Sequence, residues 1–452
     1  MKIIVCGAGS VGRSIVSYLV KGNNDIVVID KNQRHLDEIA QEFDVLPVLG
    51  EASHPDILDR AGADAADMLL AVTDSDEVNM VACQVAHSLF QLPLKIARID
   101  SDDFLDPLWE TLYSDNHLPI DMIISPDIAI AEMILRTVKY AGSAGIIPVL
   151  QEKYTIVTLK INSESPLVKI PLMQLSRMTE NLETTVINIT RNGNSFIPEA
   201  YDAIEPEDEI NILVKTENID EAIRSFGMDK PLNERLVIFG GNSISRYIGQ
   251  SIEHDDSIIS CKIIEEDLAV ARNLAKELSH VVVVQGELMS DLILEEADIS
   301  HADVSIAVTT NDKDNLLASL LAAKSGAATA VSVVNTPSYN NLIFNIGDSI
   351  LIDRSTVTIS KMLREIRKVK LSNAYSISRG QGEVWEMKVN DDSLVNGKKI
   401  GEINLHKFSR IFAINRGNDI IFPNPSTEII KDDVILLYVD SSAIKQVEKV
   451  LS

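Results

Sequence analysis

The chain contains two copies of one sequence pattern. This internal repeat restricts the possible folds of the chain more than any other feature of the sequence. The segment ADMLLAVTDSDEVNMVA at residues 66–82 returns as ADVSIAVTTNDKDNLLA at residues 302–318, 236 positions later. The glycine-rich turns at Gly7 and Gly240 are also in step, 233 positions apart. Because these segments recur in the same order and at nearly the same spacing, we expect both halves to share one fold.

The smaller C-terminal part of each half is repeated as well. The matching positions, all 225 residues apart, are Arg191, Pro198 and Asp208 in the first half and Arg416, Pro423 and Asp433 in the second. Each half therefore holds a larger and a smaller unit. The predicted domains cover residues 1–140, 144–228, 232–370 and 371–452.

Each larger unit alternates short apolar strands with helices, which is the pattern of a parallel sheet covered on both faces. In the first copy the predicted strands are KIIVCG, DIVVID, VLPVLG, MLLAVT, LKIARI and MIIS. One predicted helix between them has an apolar face made of Val78, Val81, Ala82, Val85 and Leu89. The fold class is therefore α/β, with two Rossmann-like doubly wound parallel sheets that are each followed by a small α+β domain.

Charge and cysteine content narrow the function. The 452 residues include 41 Lys and Arg against 67 Asp and Glu, for a formal net charge of −26. This excess of acid argues against nucleic-acid binding and against direct docking on an anionic membrane.

No apolar run approaches the roughly 20 residues of a membrane-spanning helix, so we expect no membrane insertion. The scattered cysteines Cys6, Cys83 and Cys261 are expected to be buried, reduced thiols of an intracellular protein without a signal peptide.

A glycine-rich turn is the clearest sign of a ligand. It consists of Gly7, Ala8, Gly9, Ser10, Val11 and Gly12. The turn follows a strand and opens a helix, and the next strand ends at Asp30, 18 residues after Gly12, as the dinucleotide-binding fingerprint requires. Gly7 allows the tight turn, Gly9 lets the backbone approach a pyrophosphate, and Gly12 lets the helix pack closely. The alternative is a structural turn that holds no ligand.

Asp30 indicates which nucleotide the turn would bind. Its carboxylate would accept hydrogen bonds from the ribose hydroxyls of an adenosine, while its charge would repel a 2′-phosphate. The phosphates would meet the N–H groups and the positive dipole at the start of the helix. We therefore expect NAD(H) rather than NADP(H). ATP and ADP present the same ribose and stay open as ligands.

Other strand ends of the first copy fall at the same edge of the sheet, where ligands of open α/β sheets bind. They supply Glu51, Thr73, Asp74 and Arg98. Thr73 offers a hydroxyl and Arg98 a guanidinium for a phosphate. For each of these residues, a helix cap or a surface ion pair is the alternative.

The second copy departs from the glycine pattern. Asn242 and Ser245 stand where the first copy has its second and third glycines, and a side chain at 242 would crowd a pyrophosphate. The other counterparts are Gly240 for Gly7, Glu265 for Asp30, Thr309 for Thr73 and Val334 for Arg98. Nucleotide binding and a purely structural role both stay open for this half.

Several kinds of catalysis are disfavoured. The sequence lacks HExxH, CxxC and GxSxG, and its eight histidines show no metal-ligand spacing, so we expect no metal site. A dehydrogenase would also need a larger substrate domain than the small units offer. Binding without chemistry is therefore favoured over the alternatives of an NAD-dependent oxidoreductase and a nucleotide sensor of some other transporter.

The turn GAGSVG, Asp30 and the run GEASHPDILDRAGADAADMLLAVTDSDEVNMVACQVA resemble the TrkA family of Trk-type potassium uptake regulators. The resemblance covers essentially the whole chain. It implies two RCK (regulator of K+ conductance) N-type domains, each followed by a C-type domain. It also implies a cytoplasmic homo-oligomer, dimeric or tetrameric, that is held peripherally at the inner face of the plasma membrane by a TrkH-type potassium-translocating protein.

The resemblance further implies the function and the site. The regulator would bind NAD(H), and ATP or ADP, and would gate its membrane partner by a change of conformation. The family's first nucleotide site is matched by Gly7 to Val11, Asp30, Thr73, Asp74 and Arg98. Its second site is matched only in part, by Gly240 and Glu265, because Asn242 and Ser245 depart from the family's pattern.

Overall fold

The residues that the computed structural model describes form two parallel and two antiparallel β-sheets, which alternate along the chain. It describes residues 1–20, 22, 24–114, 117–178, 182–228, 234–253, 258–335, 339, 349–354, 357, 373–405, 407–417 and 419–451. Its described residues fall into two compact units, one holding Met1–Ala129 and Ile444–Lys449 and the other holding Ile130–Arg354 and Lys370–Ala443. Among the described helices, none combines the length and the apolar character that a membrane crossing requires.

The first parallel sheet confirms the predicted doubly wound fold. Its strands are β1 (Lys2–Cys6), β2 (Asp25–Asp30), β3 (Leu46–Leu49), β4 (Met68–Ala71), β5 (Leu94–Arg98) and β6 (Met122–Ile124). They lie in the order β3-β2-β1-β4-β5-β6, so the direction of winding reverses between β1 and β4. In open α/β sheets a ligand binds beyond the carboxyl ends of the strands at this reversal.

The helices of this part of the chain are α1 (Ser10–Leu19), α2 (Gln33–Glu42), α3 (Pro55–Arg60), α4 (Asp76–Phe90), α5 (Asp102–Leu105) and α6 (Pro126–Lys139). The predicted apolar face of α4 is wrong at two positions. Val81 is 45% exposed and Leu89 is 61% exposed. The buried side of α4 is instead lined mainly by small residues such as Ala82, Cys83 and Ala86. Small side chains let the helix axis lie close to the sheet, which turns the larger residues outward.

The first antiparallel sheet follows α6. Its elements are β7 (Gly145–Val149), β8 (Tyr154–Lys160), α7 (Leu172–Met178), β9 (Thr185–Arg191), β10 (Asn194–Phe196), β11 (Glu209–Lys215) and α8 (Ile219–Ser225). The strands lie in the order β10-β9-β11-β8-β7. Asn192 and Gly193 both have positive φ, at 50° and 78°, which forms the tight hairpin between β9 and β10.

The second parallel sheet repeats the first. Its elements are β12 (Arg235–Phe239), α9 (Ser243–Ile252), β13 (Ser260–Glu265), α10 (Leu268–Glu277), β14 (Val281–Gln285), α11 (Asp291–Glu296), β15 (Val304–Ala307), α12 (Asp312–Ser325), β16 (Thr329–Val334) and β17 (Ser349–Asp353). The strand order β14-β13-β12-β15-β16-β17 is that of the first sheet, element by element.

The second antiparallel sheet repeats its counterpart as well. Its elements are β18 (Asn373–Ile377), β19 (Gly382–Lys388), β20 (Ser409–Arg416), β21 (Asp419–Ile421), β22 (Val434–Asp440) and α13 (Ile444–Leu451). The order β18-β19-β22-β20-β21 corresponds to that of the first antiparallel sheet. The predicted domain boundaries at 232, 370 and 371 lie outside the described residues.

The two antiparallel sheets share one hydrophobic core, which the sequence did not predict. Buried residues of both sheets form it, among them Ile156, Leu213, Val384, Leu436 and Tyr438. Hydrogen bonds also cross from one sheet to the other. The Leu150 N–H donates to the Glu386 carboxylate at 2.7 Å, and the Asn188 side-chain amide donates to the Ser378 hydroxyl at 2.7 Å. The repeated small units are therefore packed as an internal pair.

All three cysteines are buried, as predicted. Cys6 lies in β1 and Cys83 in α4, within one apolar cluster. Burial raises the pKa of Cys83 and of Cys261 to about 12. It raises the pKa of Cys6 as well. Such thiols are held in their neutral, unreactive form, which fits a packing role.

A bidentate ion pair explains the repeated arginine and aspartate of the small units. In the second copy, Nε and Nη2 of Arg416 donate to the two carboxylate oxygens of Asp433, each at 2.8 Å. Arg191 and Asp208 are bonded in the same way in the first copy. The Asp433 side chain is 1% exposed, so its charge depends on this partner.

We expect Arg416→Met to lower the free energy of unfolding by about 3 kcal/mol, because it leaves a buried carboxylate without its cation. Urea unfolding can be followed by the fluorescence of Trp385, which is buried in β19 of the same sheet. Lys431→Met is the control, since it breaks an exposed pair with Asp391 and should cost less than about 1 kcal/mol. Equal losses in the two variants would contradict the role of the buried pair.

Candidate functional site

The turn between β1 and α1 lies at the carboxyl edge of the first parallel sheet, beside the reversal of strand order. Gly7 has a φ of 107° and donates its N–H to the carbonyl of Ile29 at 2.8 Å. A Cβ on Gly7 would lie 2.9 Å from the carbonyl oxygen of Val72. Both the backbone conformation and the close approach of the end of β4 therefore require glycine here.

The other two glycines of the turn act differently. A Cβ on Gly12 would lie 1.9 Å from the carbonyl oxygen of Gly7, so Gly12 is needed for α1 to pack on the turn. A Cβ on Gly9 would meet no described atom within 4 Å. Among the described residues no side chain caps α1, which begins with Ser10 and Val11. The start of this helix therefore borders open space, where its N–H groups and dipole favour an anion.

Asp30 closes the other side of the turn. One of its carboxylate oxygens accepts the Ala8 N–H at 2.6 Å, and the other accepts the Asn32 N–H at 2.7 Å. Its side chain is 10% exposed, and Nδ1 of His35 lies 3.7 Å from Oδ1. A carboxylate has about four lone-pair directions, so capacity for ligand hydroxyls remains. Asp30 thus orients the turn and still presents an acceptor beside it.

Asn79 joins the ends of β4 and β5. Its fully buried side-chain oxygen accepts the Thr73 N–H at 2.9 Å and the Thr73 hydroxyl at 2.7 Å. Its amide nitrogen donates to the carbonyls of Thr73 and Arg98, at 3.2 and 2.9 Å. The Thr73 hydroxyl hydrogen is therefore engaged within the protein. Sequence reasoning missed this positioning residue, although Asn79 recurs in the repeat as Asn315.

Arg98 forms an ion pair with Asp100. Its Nε donates to Oδ1 of Asp100 at 3.1 Å, and its Nη2 contacts Oδ2. The Arg98 side chain is 19% exposed. A guanidinium carries five N–H donors, and this pair engages two of its nitrogens, so donors remain for a ligand. Arg98 is therefore both a member of a surface ion pair and a cation at the edge of the sheet.

Two further predicted residues lie at the rim. Asp74 pairs with Lys31, their Oδ1 and Nζ atoms being 3.5 Å apart, and this pair links the ends of β4 and β2. Glu51 follows Gly50, whose N–H donates to the carbonyl of Asp30 at 3.0 Å. The structure thus brings every predicted residue of the first site to one edge of the sheet. In the described part of the chain, no three His, Cys, Asp or Glu side chains converge as metal ligands do.

Most of this edge is reproduced in the second copy. Gly240 has a φ of 100°. Glu265 accepts the Gly241 N–H at 2.5 Å and the Asp267 N–H at 2.7 Å. Asn315 accepts the N–H and the hydroxyl of Thr309 at 2.7 and 2.6 Å. The framework around the turn is therefore the same in both halves.

The second copy differs from the first at the start of α9. The Asn242 side-chain oxygen accepts the N–H groups of Ile244 and Ser245 at 3.0 and 3.3 Å. Its amide nitrogen donates to the carbonyl of Val308. The Asn242 N–H in turn donates to the Ser245 hydroxyl at 2.7 Å, which completes a capping box. The place that is open beside Gly9 is therefore occupied by a side chain in the second copy.

Comparisons with known protein families agree with the repeat. The TrkA-N domain model matches residues 3–126 and again residues 236–353, and the TrkA-C domain model matches residues 384–452. The Trk system potassium uptake protein TrkA of Azorhizobium caulinodans is 34% identical over 449 residues, which cover 99% of this chain and 98% of that protein. The TrkA of Vibrio alginolyticus is 33% identical over 453 residues, with the same coverage.

Solved structures share the fold. The GsuK channel bound to NAD superposes with a TM-score of 0.63 at 18% identity, covering 99% of this chain and 78% of that one. GsuK bound to ADP superposes with a TM-score of 0.51 at 14% identity, covering 82% and 70%. At these identities the likeness concerns the fold alone.

We expect Asn79→Ala to lower the free energy of unfolding by about 2 kcal/mol or more, because each buried group that it leaves unpaired costs about 1–3 kcal/mol. Urea unfolding followed by circular dichroism measures the loss. Gln84→Ala is the matched control on the same helix, because Gln84 makes only an exposed hydrogen bond to Ser88 among the contacts described for it. A control that loses as much stability as Asn79→Ala would show that Asn79 does not hold the two strand ends.

Proposed function

The chain belongs to the TrkA family of potassium uptake proteins, and from this membership we propose that it is the regulatory subunit of a Trk-type potassium uptake system. It binds NAD(H), and ATP or ADP in competition, at the edge of the first parallel sheet. Binding gates a TrkH-type potassium-translocating partner through a change of conformation. The observation that carries this proposal is the open, uncapped turn at Gly9, with the Asp30 carboxylate beside it.

The proposed ligand contacts follow from the chemistry of this edge. The adenosine ribose donates its hydroxyls to Asp30, and the diphosphate lies against the start of α1, where N–H groups and the helix dipole favour negative charge. Lys31 and Arg98 supply cations at the rim. The Asp30 charge disfavours a 2′-phosphate, so NAD(H) binds in preference to NADP(H). The NAD-bound and ADP-bound GsuK structures, which share the fold, support an adenine nucleotide as the ligand class.

Regulation follows from an equilibrium between two conformations of the assembled protein. A nucleotide shifts this equilibrium only by the difference between its affinities for the two states. A tenfold difference corresponds to roughly 1.4 kcal/mol. Two nucleotides among NADH, NAD, ATP and ADP can therefore have opposite effects on potassium flux while they occupy one site, provided that they prefer opposite states.

The proposed assembly is a homo-oligomer, dimeric or tetrameric, bound to the cytoplasmic face of its membrane partner. Exposed apolar side chains on the first parallel domain, Val81 and Leu89 of α4, offer surface for a second copy. Leu317 of α12 is exposed at the corresponding place in the second copy of the repeat. Catalysis has no part in this proposal, because the relatives reported above are potassium uptake proteins and not oxidoreductases.

We expect Asp30→Ala to weaken NADH binding about tenfold or more, since a hydrogen bond to a charged group contributes about 1.5–3 kcal/mol. Isothermal titration calorimetry of the full chain measures the affinity. Glu265→Ala is the matched control, because it removes the equivalent two backbone hydrogen bonds from the second turn. Wild-type affinity in Asp30→Ala, or an equal loss at the first site in Glu265→Ala, would count against the assigned contact.

Gating is tested by flux. We expect nucleotides to change rubidium uptake into proteoliposomes that hold a TrkH-type protein and this chain, and Arg98→Ala to weaken that response because a cation for the phosphates is lost. Arg34→Ala is the control, since its side chain is 84% exposed on α2. A nucleotide response that is unchanged in Arg98→Ala would contradict the role of this residue. Failure of the chain to alter flux at all would contradict the regulatory function.

A further inference from the structure

We propose that the Asn242 side chain occupies the place of the ligand phosphates in the second Rossmann-like domain and thereby restricts nucleotide binding to the first. The inference rests on the proposed nucleotide binding at the first site. It assigns to Asn242 the choice between two sites whose turns share the same carboxylate contacts. Each chain then binds one adenine nucleotide, and the two halves differ in function.

The two hydrogen bonds that the Asn242 side-chain oxygen accepts are those that an anion would accept. Its side-chain oxygen accepts two N–H groups from the first turn of α9, those of Ile244 and Ser245. A helix start offers these groups to a bound phosphate when no side chain caps them. The nitrogen of the same amide is tied to the carbonyl of Val308. The side chain is therefore held at both ends, and a phosphate would have to displace it.

The first copy shows the same position without the obstruction. Gly9 stands where Asn242 stands, at the residue before the helix, with an ordinary φ of −68°. A Cβ built on Gly9 meets no described atom within 4 Å. The surrounding framework does not explain the difference, because Asp30 and Glu265 make equivalent bonds to their turns. Within the hydrogen-bonded framework of the turn, the contrast between the two sites therefore lies at this one position.

The charged residues around the two turns also favour an anionic ligand at the first turn over the second. Glu266 stands where the first copy has Lys31, and its carboxylate accepts the Leu288 N–H at 3.1 Å. Val334, which is fully buried, stands where the first copy has Arg98. The second edge thus lacks both cations that flank the first one. A dinucleotide with two negative phosphates is disfavoured there independently of the contacts of Asn242.

The test exchanges the residues at positions 9 and 242 in the full chain. NADH is the probe, and calorimetry measures how many NADH molecules each chain binds. We expect one NADH per chain for the wild type and none for Gly9→Asn. A second, weaker binding event is expected in Asn242→Gly or, with a cation restored, in N242G/E266K. Circular dichroism and thermal unfolding confirm that each variant is folded. Gly9→Asn is expected to fold normally, since its side chain enters open space.

Each result has a distinct meaning. One NADH per chain that is lost in Gly9→Asn and doubled by opening position 242 would support the inference. Two NADH per wild-type chain would overturn the inference and leave the proposed function intact. A single NADH in both Asn242→Gly and N242G/E266K would show that Asn242 does not decide between the sites. A wild-type chain that binds no NADH, NAD, ATP or ADP would overturn the proposed function and the inference with it.

Discussion

The hydrogen bond from a backbone N–H of the glycine turn to the carboxylate at the end of the second strand sets the geometry at the carboxyl edge of each parallel sheet. It joins Ala8 to Asp30 in the first half and Gly241 to Glu265 in the second. Each carboxylate also holds the N–H two residues after itself, so it fixes the path of the chain on both sides. The orientation of the helix start, and therefore the direction of its N–H groups, depends on this contact.

The two halves of the chain share one framework and differ at a few positions. The strand orders, the Asn79 and Asn315 bridges and the paired arginines and aspartates are the same in both halves. These contacts stabilise the fold, and their loss would leave buried polar groups without partners. The halves differ where a ligand would bind. The contacts that stabilise the fold are therefore distinct from the positions at which the two halves differ.

The two small antiparallel sheets pack against each other within one chain. Alone, each would expose one apolar face, and the shared core buries both faces together. The Glu386 carboxylate and the Asn188 amide satisfy polar groups across the contact, which keeps the junction specific. An internal pair of this kind gives the second compact unit a shared core.

The sequence by itself determined the repeat, the strands of the parallel sheets, the glycine turn and Asp30. All of these follow from local patterns, because apolar periodicity and the conformational freedom of glycine act over a few residues. Only the tertiary structure decided that Asn79 bridges two strand ends, that Arg98 pairs with Asp100, that Val81 and Leu89 point outward, and that the Asn242 side chain caps α9. These features depend on which side chain reaches which backbone group after folding. That geometry is set by contacts between distant segments, and no local pattern records it.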